Sequence, residues 1–271
     1  NTVSKIVLGA KLEKKSPFVS YLETKLDKPL VVSLYFATIN DKIVMQLQTP
    51  NAQIIGYLKY PINDIGLRHL ENEKKAIDIL SERGVIQKCL LYDEFDGKPF
   101  LLLTALEGDI GLVDRQQIDD ILLQFKREKV HSLSSHPRVK GLKQLLASND
   151  LSKYIPLLEN ISQKSTTSYA LVYEHGDFTP WNIVKVNEDC IPFDFEYFID
   201  DGLEYFDLIK YYYQVGRLLE GKKEGGLVTY ISEQIEIEEI NELLQLFIVK
   251  EIAQNKKENE PYDFEISMIK E

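Results

Sequence analysis

One property limits the possible folds more than any other: the hydrophobic period changes part-way along the chain. Up to about residue 106 the apolar residues fall into short, β-branched runs of strand length, at Lys5–Ala10, Leu30–Ile39, Lys42–Leu47, Ala52–Lys59, Lys88–Phe95 and Pro99–Leu106. Asn40-Asp41 and Asp96-Gly97 supply turn chemistry between neighbouring runs. Only Arg68–Arg83 breaks the pattern: Leu70, Glu73, Ile77 and Leu80 recur at three and four, so one helix is expected there, stopped by Gly84. Beyond residue 106 the reading is mostly helical, with helices expected over Gln116–Val130, Gly141–Ala147, Leu203–Glu220 and Ile235–Gln254. Two short apolar runs, Tyr169–Tyr173 and Ile191–Phe195, read as buried strands around a loop. The expectation is an α+β chain of two parts: β-rich residues 1–106 with a single main helix, then mostly helical residues 107–271. The join falls in the polar stretch Thr104–Gly111. A length of 271 residues accommodates this, and no internal repeat or low-complexity tract competes with it.

The loop between the two buried runs carries the chemistry. It reads His175-Gly176-Asp177-Phe178-Thr179-Pro180-Trp181-Asn182, and the second run ends Phe193-Asp194-Phe195-Glu196. Two neighbouring strand ends would bring the Asp177 carboxylate, the Asn182 amide oxygen and the Asp194 carboxylate into one space. Hard oxygen donors of this kind suit Mg²⁺, whose shell is completed by water and substrate phosphates. Phosphoryl transfer asks a protein for metal ligands and for a carboxylate that orients the attacking hydroxyl and accepts its proton. Asp177 suits the second task, Asn182 and Asp194 the first.

The same spacing is similar to the catalytic loop of protein kinases, H-R-D-x-x-x-x-N followed by a metal aspartate. It resembles more closely the aminoglycoside phosphotransferase and choline kinase family, with H-G-D-x-x-x-x-N and a downstream D-x-E, here Asp194-Phe195-Glu196. That family's later D-L, opening a helix after a glycine turn, is matched by Gly202 and Asp207-Leu208. The resemblance spans about residues 5–220, with its specific motifs within Glu174–Leu208.

It implies a bilobal protein-kinase-like fold, ATP and Mg²⁺ as cofactors, and the hydroxyl of an aminoglycoside-, choline- or sugar-like small molecule as acceptor. It also implies a strand lysine on the ATP phosphates, for which Lys59 is the candidate, fixed by a helix glutamate, Glu73, with Glu71 the rival. Phe100–Gly108 resembles the hinge strand, so backbone groups around Thr104 to Leu106 would meet adenine. Leu122, Phe125 and His131 resemble a long helix ending in a structural histidine. His175 and Glu196 are candidates to support the site. For the acceptor the candidates are Trp181, Tyr197, Asp200 and Glu204, which could equally pack the helical core. No G-x-G-x-x-G precedes Lys59, so the phosphate-covering loop is assigned only to Ile6–Val32 or to the Asn40–Lys42 turn. That absence weighs against a protein kinase. A nucleotide-binding pseudokinase or scaffold is the other alternative.

Gly216–Lys223 nearly spells a Walker A motif, but it ends in Lys and follows a helix, so a helix end capped by Gly221 is expected instead. Asp plus Glu is 43 against 32 Lys plus Arg, a net charge of -11, which excludes nucleic acid and polybasic membrane contact as default partners. The two cysteines, Cys89 and Cys190, form no C-x-x-C. With no signal peptide or spanning segment recognised, a reduced, cytoplasmic setting is expected.

Overall fold

The computed structural model describes residues 15–35, 41–83 and 86–269. The expected strand Lys5–Ala10, Asn40 of the first turn and Gly84 lie outside the described residues, as do residues 6–14 of the candidate phosphate-covering stretch Ile6–Val32.

The first half is one antiparallel sheet. Strands β1 (Val31–Tyr35), β2 (Lys42–Gln48), β3 (Ile54–Pro61), β4 (Cys89–Phe95) and β5 (Lys98–Thr104) take the order β1-β2-β3-β5-β4. Alternation along the strands sends Leu47, Leu58, Phe100 and Leu102 into a small core. A helix absent from the sequence reading covers that core: α1 (Pro17–Leu26). Its start was legible, since Ser16 caps it by accepting the Val19 N–H and Pro17 takes the first helical position. Phe18 and Tyr21 lay their rings against Phe95 and Phe100, and the Tyr21 hydroxyl donates to Asp93 at 2.8 Å. The expected helix is α2 (Asp64–Leu80), capped by Asn63, with Leu70, Glu73, Ala76, Ile77 and Leu80 on its buried face.

The second half holds the larger core. It contains helices α3 (Arg115–Phe125), α4 (Pro137–Ser148), α5 (Ile155–Lys164), α6 (Phe206–Gln214), α7 (Glu224–Gln234), α8 (Ile240–Lys257) and α9 (Asp263–Met268). Strands β6 (Asp109–Ile110), β9 (Ile183–Val186) and β10 (Asp189–Pro192) form one small sheet. Strands β7 (Lys126–Ser132), β8 (Ser168–Glu174) and β11 (Ile199–Leu203) form another.

Several expected boundaries are corrected. The helix expected over Gln116–Val130 stops at Phe125, the last residue of its buried stripe, and His131 therefore sits on β7. The following Lys-Arg-Glu-Lys has no apolar side to bury and suits an exposed edge strand on β8. Leu203 ends β11, and the helix after it begins at Phe206 and closes through a wide turn at Val215–Leu219. Gly221, at φ 62°, then terminates the near-Walker segment as a helix end. The last expected helix begins at Ile240, with α7 separate before it. Among the described residues no helix is long and apolar enough to cross a membrane.

One buried cap carries a pH prediction. His136 opens α4, its Nδ1 accepting the Arg138 N–H at 3.2 Å while Nε2 faces the Ala170 carbonyl at 3.4 Å. That pairing requires the neutral ring, and burial pushes its pKa from 6.5 down to about 4. The unfolded chain then binds the proton more readily, so this stability is present above pH 6.5 and is lost as pH falls towards 4. Urea midpoints should fall more steeply between pH 7.5 and pH 5 for the wild type than for His136→Asn, which can cap without titrating. Equal slopes would refute the assignment.

Candidate active site

Between the two halves lies a cavity of about 330 Å³. Val44, Tyr57, Leu103 and Leu106 make its walls largely apolar, while Lys42, Lys59 and Asp194 make one end charged. The β2–β3–β5 register fixes Lys59 between Val44 and Leu101. Its Nζ lies 2.7 Å from the Glu73 carboxylate and 2.5 Å from Asp194 Oδ1. Glu73 is on the buried face of α2 and only 1% exposed, so its charge needs Lys59 as partner. Burial alone would lower the Lys59 pKa, but Asp194 and Glu73 outweigh it and hold the ammonium charged.

Facing this end is the loop that leaves β8. The β9–β10 hairpin pairs Ile183 with Pro192, and the Phe193 N–H donates to the Asn182 carbonyl at 3.0 Å. That register is how a residue of the loop and the residue before Asp194 become neighbours. His175 braces the same junction. Its Nδ1 accepts the Asp177 N–H at 3.3 Å, which leaves Nε2–H to donate to the Phe193 carbonyl at 3.0 Å. The ring lies 4.3 Å from that of Phe195, and burial lowers its pKa, keeping it neutral. Gly176 turns the chain at φ 84°, where a Cβ would stand 2.3 Å from the Tyr197 carbonyl oxygen. Asp207 accepts the His175 and Gly176 N–H groups at 2.7 and 3.0 Å.

Asp177 is thereby held at both oxygens. Asn182 Nδ2 donates to Oδ2 at 2.9 Å, and Lys210 Nζ lies 3.3 Å from Oδ1. Beneath the loop, Glu251 pairs with Lys210 at 2.8 Å and with Lys250 at 2.7 Å. Lys250 also donates to the Gly176 carbonyl at 3.2 Å. Arg138 grips Glu174 with two bonds of 2.9 Å.

Glu73, Asp194 and Glu196 each bring a carboxylate oxygen to within 4.8 Å of the others. This all-oxygen donor set fits Mg²⁺, and the Asn182 amide oxygen remains its acceptor once Nδ2 is spent on Asp177. Asp194 sits at φ 68°, a conformation costly for a non-glycine residue and held here by its surroundings. Burial would raise its pKa, but Lys59 and Lys42 hold it well below the usual carboxylate range.

The remaining sequence candidates divide. Leu106 lines the cavity, whereas Thr104 has both backbone groups engaged, its N–H with Lys88 and its carbonyl with the Gln87 side chain. Tyr197 lines a second cavity of about 150 Å³ with His69, Glu196, Glu258 and Glu260. Trp181 is 37% exposed. Asp200 is paired with Lys75 at 2.8 Å, and Glu204, in a groove beside α3, with Lys126 at 2.7 Å.

Sequence comparison finds no match to a protein-family profile or to a curated protein. Structure comparison does. A Plasmodium vivax ethanolamine kinase is 13% identical with a TM-score of 0.55, over 88% of this chain and 80% of its own. An aminoglycoside phosphotransferase in ternary complex with AMP-PNP and hygromycin B is 10% identical with a TM-score of 0.59, over 90% and 93%. A Streptomyces rimosus aminoglycoside phosphotransferase is 14% identical with a TM-score of 0.51, over 87% and 97%. The chain has the protein-kinase-like fold of small-molecule kinases.

Within this kinase fold, sequence reasoning overlooked Lys210, Lys250, Glu251, Glu174 and Arg138, and reached Lys42 only as the end of the Asn40–Lys42 turn. The signal for three of them was present. Lys210 interrupts the aromatic run of α6, and Lys250-Glu251 interrupts the apolar run Leu243–Ala253 of α8. A charge inside a buried helical stripe must have a buried partner.

Proposed function

We propose that the protein is an ATP- and Mg²⁺-dependent phosphotransferase that moves the γ-phosphate to a hydroxyl of a small molecule. The observation that carries this reading is the pairing of Lys59 with Glu73 and Asp194, next to a loop whose Asn182 and His175 are bonded to Phe193, the residue before Asp194. Lys59, fixed by Glu73, contacts the nucleotide phosphates. Leu106 and the apolar walls receive the adenine. Asp194, Asn182 and Glu196 hold the metal, which when bound neutralises charge on the phosphates. Asp177 orients the acceptor hydroxyl and accepts its proton, and the Asn182 and Lys210 contacts fix the carboxylate while it does so.

Support comes from the solved relatives, which carry AMP-PNP with hygromycin B and ADP with streptomycin. The second cavity borders Glu196 and is lined by Asp41, Glu258 and Glu260 against Lys42 and His69, an excess of acidic groups even with Glu258 already paired to Arg68. That lining favours an alcohol that also carries an amine, with Tyr197 against it. The test is a Mg·ATP consumption screen over amino alcohols, aminoglycosides, sugars and a generic protein substrate. Acceptor-dependent ADP release with a small amino alcohol or aminoglycoside is expected. Tight Mg·ATP binding with no turnover on any acceptor would favour a scaffold, and turnover on protein alone a protein kinase.

A further inference from the structure

The charged end of the nucleotide cavity contains a second lysine. Lys42 opens β2, two residues before Val44, and Val44 faces Lys59 across the β2–β3 ladder. Residues two apart on a strand share a face, so Lys42 and Lys59 reach into the cavity together. Lys42 is 15% exposed, lies 3.5 Å from Asp194 Oδ1 and forms an ion pair with Glu196. Burial and the nearby Lys59 ammonium lower its pKa, against the pull of Asp194 and Glu73. The two lysines are not equivalent. Lys59 also lies 2.5 Å from Asp194, but it keeps a further anchor in Glu73 on α2, whereas both anions that Lys42 touches, Asp194 and Glu196, are shared with Lys59 and with the oxygen set of Glu73, Asp194 and Glu196 that fits a metal.

A divalent cation and an ammonium cannot share those oxygens without strong like-charge repulsion. When the cation binds, Lys42 must turn to another anion. The anion that enters with it is the nucleotide's phosphate chain. We infer that Lys42 is a second phosphate-binding lysine of the nucleotide cavity, parked on Asp194 and Glu196 until metal and nucleotide arrive. It would take over part of the work of the glycine-rich loop that the sequence lacks. The inference rests on the phosphotransferase reading above.

Two affinities should move in opposite directions. In isothermal titration, Lys42→Met is expected to weaken AMP-PNP·Mg²⁺ binding by about 10- to 100-fold, the size of one charge-assisted hydrogen bond. The same variant should bind Mn²⁺ alone about tenfold more tightly, because a competing cation has been removed. Lys42→Arg should restore nucleotide binding to near the wild-type value. Should Lys42→Met not fold, Lys42→Gln carries the same test with a polar side chain. Unchanged nucleotide affinity, or unchanged or weaker Mn²⁺ affinity, would overturn the inference and leave Lys42 a structural counter-ion. A wild-type protein that binds no nucleotide would overturn the phosphotransferase reading and this inference together, so the two failures are distinguishable.

Discussion

Asp177→Asn is expected to lower turnover by about 10²- to 10⁴-fold, the usual worth of a positioned general base. Nucleotide affinity should stay within a few-fold of wild type. The exchange keeps the size of the side chain and removes its capacity to take a proton. It also leaves no charge stranded below the loop, because Lys210 retains its 2.8 Å bond to Glu251. Lys59, Glu73 and Asp194 are untouched, so the nucleotide end should titrate normally. The measurement is a coupled ADP-release assay beside AMP-PNP titration. If turnover persisted within tenfold, Asp177 would not be the base. If nucleotide affinity fell together with turnover, its role would lie in building the cavity.

Glu174→Ala should produce the largest loss of stability. Glu174 is fully buried and receives two Arg138 bonds of 2.9 Å, with Lys250 3.8 Å away. Burial pushes its pKa up, but Arg138 and Lys250 bring it below the ordinary value, so it is held as an anion. Removing it leaves Arg138 without its countercharge in the interior, while Lys250 keeps Glu251 at 2.7 Å. Breaking a buried pair in this way costs about 3–5 kcal/mol, against a typical total of about 5–15 kcal/mol. Urea denaturation should therefore show a midpoint far below wild type. A loss under about 1 kcal/mol would mean that water reaches Arg138. Turnover should fall as well, since Glu174 immediately precedes His175-Gly176-Asp177.

The parts of this molecule that announce themselves in the sequence are those governed by a short-range rule. Alternation gave the sheet strands, three-four spacing gave α2, and the spacing of Asp177, Asn182 and Asp194 pointed to a site whose members the structure brings close. What escaped depends on contacts distant in sequence. Lys126–Ser132 has no intrinsic reason to be extended; it becomes a strand because β8 offers it an edge. Helix α1 begins with a legible cap, yet its reason for existing is the ring cluster of Phe18, Tyr21, Phe95 and Phe100. Lys42 reads as a turn residue until the β2–β3 register sets it beside Lys59. Asp200 and Glu204 were drawn into the acceptor reading by nearby aromatics, and their ion pairs with Lys75 and Lys126 could not be read from local spacing.

The grip on the His175–Asn182 loop comes from the interior side. Asp207, Lys210, Lys250 and Glu251 hold it through buried bonds, whereas Trp181 on its outer face is 37% exposed. This division separates what selection can alter from what it cannot. Under the proposed function, substitutions on the outer face would change which alcohol is received with little effect on stability. Under that function, a lineage of such proteins would drift between acceptors by single steps while keeping its phosphate chemistry.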